Sequence, residues 1–140
     1  MQNDEQENII LRSILNIVAI WPIHFNQHIM SQEQFKDITF KANYYVGANA
    51  QGGTMTIQQE IAVFTPHGFN FGDLNEKRIP IKDICGYKKG MLTILNIYLT
   101  NGTVVKLAVW KKDAIIQALE ARRHAIYKNL GQEIPQLTAF

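Results

Sequence analysis

The chain has 140 residues and a formal net charge of +2, with 46% hydrophobic and 19% charged residues. This length fits one domain with a short extension, and the composition is that of a globular protein rather than a disordered one. A net charge this small argues against a nucleic-acid partner, because a protein that follows a phosphate backbone concentrates many Lys and Arg residues on one surface. The single cysteine, Cys85, leaves no partner for an internal disulfide and favours a reducing, cytoplasmic compartment.

The first part of the chain predicts a helix from Glu5 to Ile20, which Asn3 or Asp4 can cap and Pro22 ends. Its apolar surface is wider than a helix lying on one surface needs. Three surfaces could pack against it: the protein's own sheet, a second copy of the chain, or a membrane. The acidic start and the short apolar run disfavour an export signal and a membrane span. The candidate contact residues in this segment are Ile10, Ile14 and Trp21.

Two histidines, His24 and His28, are four residues apart, a spacing that places two imidazoles on one face of a helix. A zinc site needs three or four ligands, and no Cys, Asp or third His follows at ligand spacing. We therefore expect two ordinary histidines, no metal and no other cofactor.

The stretch 52–70, GGTMTIQQEIAVFTPHGFN, predicts a β-hairpin whose connecting residues are Gln59 and Glu60. The opposing pairs on its apolar face are then Ile57 with Ala62 and Met55 with Phe64. The opposite face is polar on the first strand, but Ile61 and Val63 make it partly apolar on the second. We expect another part of the protein, such as the N-terminal helix, to cover that second strand.

Alternation of apolar and polar side chains predicts a strand from Ile38 to Val46 before the hairpin, with a loop from Gly47 to Gly53 between the two. After the hairpin, the turn-rich segment 67–77 carries Phe69 and Phe71. These two rings either pack on the core or form an exposed contact loop.

Strand patterns continue from Arg78 to Trp110, with Asn101-Gly102 as the strongest hairpin signal in the chain. The period then changes from two to 3.6 residues, which predicts a C-terminal amphipathic helix with Asp113 in its first turn and Gly131 past its end. The apolar stripe of that helix comprises Ile115, Ile116, Leu119, Ile126, Tyr127 and Leu130. We expect a mainly β fold with the N-terminal helix added: a partly open barrel or two packed antiparallel sheets of about seven strands, closed by the C-terminal helix.

Several segments between Phe40 and Arg123 resemble the GRAM-like branch of the pleckstrin-homology (PH) superfold, particularly its bacterial members. They are KANYYVGANAQGGTMTI, VFTPHGFN, RIPIKDI, and NGTVVKLAVWKKD with the helix that follows. The residues that fall on family positions are Gly53, Met55, Ile57, Phe64, Pro66, His67, Asn70, Ile79, Ile81, Asp83 and Ile84. The sequence departs from the family at Gln58, where Thr is usual, at Ile61, where Arg is usual, and near Ile115, where an aromatic residue is usual.

This resemblance implies a PH/GRAM-like domain over residues 37–131, between a helical extension (1–36) and a C-terminal tail (132–140). It also implies a non-catalytic module that recognises a protein or a lipid. Phosphoinositide-binding PH domains carry Lys and Arg in the loop after the first strand. The loop from Gly47 to Gly53 has neither, so we do not expect such a headgroup to bind there.

We therefore expect a cytoplasmic interaction module that binds a protein partner, including a second copy of itself. The alternative is a peripheral membrane module that uses the N-terminal helix. The candidate interaction residues are Ile10, Ile14, Trp21, Phe69 and Phe71, and a weak basic cluster comprises Lys82, Lys88 and Lys89. No catalytic role is expected for His67 and Asp83, because no nucleophile, phosphate-binding loop or ligand cluster accompanies them.

Overall fold

The computed structural model describes residues 33–68 and 75–140, which form seven antiparallel strands and one α-helix. The strands are β1 (Ile38–Val46), β2 (Asn49–Ile57), β3 (Ile61–Pro66), β4 (Lys77–Pro80), β5 (Ile84–Lys89), β6 (Ile94–Leu99) and β7 (Val104–Ala108). A 3-10 turn (Ile81–Asp83) separates β4 from β5, and helix α1 (Lys112–Asn129) follows β7. The strands make one sheet in the order β4-β3-β2-β1-β7-β6-β5, which is not closed into a full barrel. The mainly β architecture with a C-terminal helix is thus confirmed, and the expected N-terminal helix lies outside the described residues.

The β2–β3 hairpin has the register that the sequence predicts. Met55 pairs with Phe64 and Ile57 pairs with Ala62, and all four side chains are buried. Gly53 precedes them at a position where a side chain has no room, because an added Cβ would lie 2.4 Å from the carbonyl oxygen of Thr65. The hairpin therefore supplies one wall of the core.

The predicted loop from Gly47 to Gly53 is wrong. Strand β2 already begins at Asn49, and β1 and β2 pair from Ile38–Ile57 to Val46–Asn49. The connection is a two-residue turn, Gly47 and Ala48, in which Gly47 has a φ of +61°. The polar, glycine-rich residues at the start of β2 lack the apolar alternation that reveals a strand, but their backbone groups pair with those of β1.

The 3-10 turn fixes the two edge strands to the rest of the sheet. The Ile81 N–H donates to the carbonyl of Glu60 at 3.0 Å, and the Thr100 N–H donates to the carbonyl of Asp83 at 2.9 Å. Ile81 itself is fully buried. The chain thus crosses from one edge of the sheet to the other while remaining bonded to both halves.

Helix α1 packs against the 3-10 turn and β5 and contributes Ile115 and Leu119 to the core. The other buried core side chains come from the strands, the 3-10 turn and the residue after β7: Ala42, Met55, Ile57, Ala62, Phe64, Ile79, Ile81, Ile84, Leu95, Ile97, Leu99, Val105, Leu107 and Val109. Leu130, expected on the apolar stripe of the helix, is 53% exposed. Arg122 and Arg123, absent from that stripe, are each only 2% exposed.

The guanidinium of Arg122 joins three parts of the chain that are far apart in sequence. Its Nε donates to the carbonyl of Gln58 at 2.7 Å, its Nη2 to the carbonyl of Lys36 at 2.8 Å, and its Nη1 to that of Ala118 at 3.0 Å. The ring of Phe35 lies 4.7 Å from its central carbon. Burial lowers the pKa of this guanidinium, and the charge of Asp37 opposes that shift. A buried cation of this kind is tolerated because its donors are satisfied by carbonyl oxygens.

We predict that Arg122→Met lowers the free energy of unfolding by about 2 kcal/mol, because the carbonyls of Lys36 and Gln58 lose their charged donor while the aliphatic stem is kept. Urea denaturation followed by circular dichroism measures the change. The matched control is Lys128→Met, which changes an exposed residue on the same helix. Equal midpoints for the two variants would contradict the structural role of Arg122.

Candidate interaction surface

One end of the sheet carries three strongly exposed hydrophobic side chains. Met91 and Leu92 lie in the turn between β5 and β6 and are 85% and 89% exposed. Trp110 lies between β7 and α1 and is 81% exposed. Scattered apolar side chains are normal on a protein surface, but three large ones at one end are typical of a contact surface.

The backbone brings these two connections together. Ile94 at the start of β6 pairs with Ala108 at the end of β7, and the Val109 N–H donates to the carbonyl of Thr93 at 2.8 Å. The Lys112 ammonium also donates to the carbonyl of Gly90 at 2.8 Å. The β5–β6 turn and the start of α1 therefore form one surface, which we call the tip. It comprises Met91, Leu92, Trp110, Lys88, Lys89, Lys111 and Lys112.

Two residues of the tip have left-handed backbone conformations. Leu92 has a φ of +52° and Lys111 a φ of +57°, and among the described residues no other non-glycine residue has a positive φ. Each such conformation costs about 1 kcal/mol for a residue with a Cβ. Backbone strain of this kind is concentrated at functional sites, and here it lies beside the exposed side chains of Met91 and Trp110.

The tip is positively charged. No Asp or Glu occurs between Asp83 and Asp113, and all four tip lysines lie in that interval. Asp113 binds Lys89 at 2.8 Å, and the hydrogen bond and charge of Lys89 lower the pKa of that carboxyl. Lys88 and Lys111 are exposed and make no ion pair with any described residue. The apolar side chains of the tip are thus accompanied by uncompensated positive charge.

An open cleft of about 310 Å³ is lined by Trp110 and by residues of β1 and β2. Its polar lining includes Lys41, Asn43 and His67. His67 and Asp83 lie at opposite ends of β3, because the His67 N–H bonds to Gly52 while the turn that contains Asp83 bonds to Glu60. The structure therefore does not bring His67 and Asp83 together as a base and its orienting carboxylate.

All five predicted contact residues, Ile10, Ile14, Trp21, Phe69 and Phe71, lie outside the described part of the chain. The two histidines that are four residues apart, His24 and His28, lie outside it as well. Their roles remain predictions. Within residues 33–68 and 75–140, no group of three or more potential metal ligands occurs and no helix is long and apolar enough to cross a membrane.

The predicted basic cluster is divided between the two ends of β5. Lys88 and Lys89 end the strand and belong to the tip, whereas Lys82 lies in the 3-10 turn, where its ammonium is 5.8 Å from the ring centroid of Tyr127. The sequence did contain a signal for the tip. Met91 and Leu92 lie between two strand patterns, one residue after a Lys-Lys pair, and Trp110 ends a strand pattern and directly precedes another Lys-Lys pair.

A separate polar cluster joins β5 to α1. Glu120 accepts two hydrogen bonds from Arg123, at 2.8 and 2.9 Å, and one from the Tyr87 hydroxyl at 2.8 Å. His124 lies 3.3 Å from the second carboxylate oxygen. Burial alone raises the pKa of Glu120, but the hydrogen bonds from Arg123 and Tyr87 outweigh it and hold the pKa below its ordinary value. Burial and the charge of Glu120 raise the pKa of Tyr87, so its hydroxyl stays a neutral donor.

No protein-family profile matches the chain, and no curated protein sequence matches it. Solved structures do. The N-terminal PH domain of human ARAP2 gives a TM-score of 0.53 at 10% identity, over 78% of this chain and 95% of that one. The PH domain of human oxysterol-binding protein-related protein 11 gives 0.51 at 6% identity, over 72% and 88%. The C-terminal domain of an unknown protein from Leishmania infantum gives 0.52 at 12% identity, over 77% and 98%.

The fold is that of a PH domain. At these identities the similarity establishes the PH-like fold alone and does not identify a ligand. The PH-like part of the expectation from sequence is therefore confirmed.

We predict that Glu120→Gln lowers the free energy of unfolding by about 2 kcal/mol at neutral pH, because charge-assisted hydrogen bonds are lost. The pKa of Glu120 is lower in the folded chain than in the unfolded one, where its ordinary value is 4.5. Its ionised form therefore stabilises the fold above that pH, and this contribution disappears as the pH falls through the folded-state pKa.

Urea denaturation at a series of pH values measures this effect, with the exposed Glu60→Gln as the control. The difference between the parent protein and Glu120→Gln should shrink as the solution is acidified. A difference that does not depend on pH would show that the Glu120 charge does not stabilise the fold.

Proposed function

We propose that this chain is a GRAM-like member of the PH superfold that acts as a non-catalytic, cytoplasmic binding module. The residues quoted for the resemblance support this assignment by where they lie. Met55, Ile57, Phe64 and Ile81 are all buried, and Gly53 allows two strands to approach closely. These are the positions at which a shared fold constrains the sequence most strongly.

We further propose that the module attaches to an anionic membrane surface through the tip. The observation that carries this proposal is the combination of Met91, Leu92 and Trp110, each more than four-fifths exposed, with Lys88 and Lys111, which make no ion pair with any described residue. Leu, Met and Trp side chains enter the boundary between headgroups and acyl chains, while lysines remain at the headgroups. Each lysine near an anionic bilayer contributes about 1 kcal/mol.

This attachment does not require a phosphoinositide pocket. The β1–β2 turn, Gly47 and Ala48, carries no cation, whereas the tip spreads its lysines around apolar side chains. An arrangement of this kind is suited to the general negative charge of a bilayer rather than to one polyphosphorylated headgroup. A protein partner, including a second copy of the chain, is the other candidate, because exposed apolar side chains with a charged rim also occur in protein interfaces.

We predict that the full chain floats with vesicles that contain phosphatidylserine and phosphatidylcholine, and not with phosphatidylcholine alone. Leu92→Asn and Trp110→Ser should each weaken binding about tenfold, because each removes apolar surface that the bilayer would cover. Asparagine tolerates the left-handed backbone at position 92, so the fold is preserved. Lys111→Ser should weaken binding about fivefold.

The control for this experiment is Val46→Ser, which changes an exposed apolar residue at the end of β1 that is remote from the tip. Its binding should match that of the parent protein. If the parent protein floats with neither vesicle, membrane attachment is wrong and light scattering should test for self-association. If the tip variants bind as well as the parent protein, the membrane contact lies elsewhere.

A further inference from the structure

The C-terminal tail, residues 132–140, does not leave the domain but lies along the outer edge of β5. Helix α1 ends at Asn129, and Gly131, two residues later, has a φ of +65° and turns the chain back. The Thr138 N–H then donates to the carbonyl of Cys85 at 2.8 Å. Cys85 lies at a β-bulge, where the register between β5 and β6 shifts.

An aromatic ring of the tail fits into a slot on the sheet. Phe140 stacks on Tyr98 of β6 with a centroid separation of 3.8 Å and an interplanar angle of 3°. Gly86, which pairs with Tyr98, forms the floor of the slot. A Cβ on Gly86 would lie 2.3 Å from the Phe140 ring, so any larger residue there would close the slot.

A third contact comes from the helix. The buried Arg123 holds Glu120 with two of its nitrogens and donates from Nη1 to the carbonyl of Pro135 at 3.0 Å. An open cleft of about 460 Å³ lies beside this contact, between the tail and helix residues Glu120, Arg123 and His124. Strands β5 and β6 and helix α1 thus form the domain side of a groove in which the tail lies.

The tail itself is weakly embedded. Residues 135–140 are all exposed, and Phe140 retains 49% of its accessible surface. Residues 135–140 are held by one backbone pairing, one carbonyl contact and one stacked ring, and the Gln132 N–H at the start of the tail donates to the carbonyl of Tyr127 at 3.0 Å. Pairing of an extended segment with an open strand edge is a general way in which proteins bind peptides, with side-chain slots that add specificity.

We propose that the groove between β5 and α1 is a peptide-binding site that the tail occupies in this chain. We expect this site to bind an extended segment of another protein. One residue of that segment donates its N–H to the carbonyl of Cys85, and an aromatic residue follows two positions later. Such a segment places that N–H and the aromatic side chain as Thr138 and Phe140 are placed here. The carbonyl that Arg123 binds lies three residues before the pairing residue. The tail is then a built-in competitor, since tethering gives it a high local concentration. This site is separate from the tip and does not depend on the proposed membrane attachment.

A labelled synthetic peptide, QEIPQLTAF, which has the sequence of residues 132–140, tests this proposal on the full chain by fluorescence anisotropy. Phe140→Ala weakens the tail's own hold, so the peptide should bind this variant about tenfold more tightly than the parent protein. A peptide that ends in Ala instead of Phe should bind neither. Adding Tyr98→Ala to Phe140→Ala should abolish binding, whereas adding Tyr45→Ala, which removes a ring outside the groove, should leave it unchanged.

Nuclear magnetic resonance spectra of the Phe140→Ala variant give a test that needs no further substitution. Addition of the peptide should shift the amide signals of Cys85, Gly86, Tyr98 and Arg123. Equal affinity for the parent protein and the Phe140→Ala variant would overturn the proposal, as would shifts confined to other residues. Neither experiment contains lipid, so a negative result here leaves the membrane proposal unaffected.

Discussion

The buried guanidinium of Arg122 connects the helix to the segment before β1 and to the β2–β3 turn through three carbonyl oxygens. Both segments lie just outside the strands, beyond the regular backbone pairing of the sheet. An apolar side chain could fill the same volume but could not satisfy Gln58 and Lys36 together. A lysine has a compact ammonium on a flexible stem, whereas the planar fork of arginine reaches several fixed acceptors at once. The closure of the sheet by the helix therefore depends on a polar contact as well as on Ile115 and Leu119.

A seven-stranded sheet that does not close must protect two edges. At one edge, β4 is short and leads into the 3-10 turn, which bonds back to the β2–β3 turn. At the other edge, β5 ends in Lys88 and Lys89, and the tail pairs with the bulge at its start. Lysines and bulges are common means of preventing unwanted strand pairing. Because the tail pairs with β5 through only one N–H, this edge is protected and yet remains accessible to a segment that competes with the tail.

The sequence predicted those parts of the fold in which buried side chains recur every two residues, as in a strand, or every 3.6 residues, as in a helix. The register of Met55 with Phe64 follows from alternation in two adjacent strands, and Ile115 and Leu119 follow from the helical period. The start of β2 was missed because its polar residues show no alternation. The burial of Arg122 was missed because its acceptors on Lys36 and Gln58 are 86 and 64 residues away in sequence. The tip left no periodic signal either, since exposed turn residues are not constrained by packing.

The exposure and backbone conformation of the tip residues show that they do not serve to stabilise the fold. Met91, Leu92 and Trp110 are so exposed that they contribute little to the core, and the left-handed backbone at Leu92 and Lys111 costs stability. A stable turn between β5 and β6 would favour Gly or Asn at such a position and polar side chains around it. The tip instead presents large apolar groups on a strained backbone beside Lys88 and Lys111, which make no ion pair with any described residue. Stability does not account for these features, whereas the proposed contact with an apolar and anionic surface would account for the exposed side chains and for their charged surroundings together.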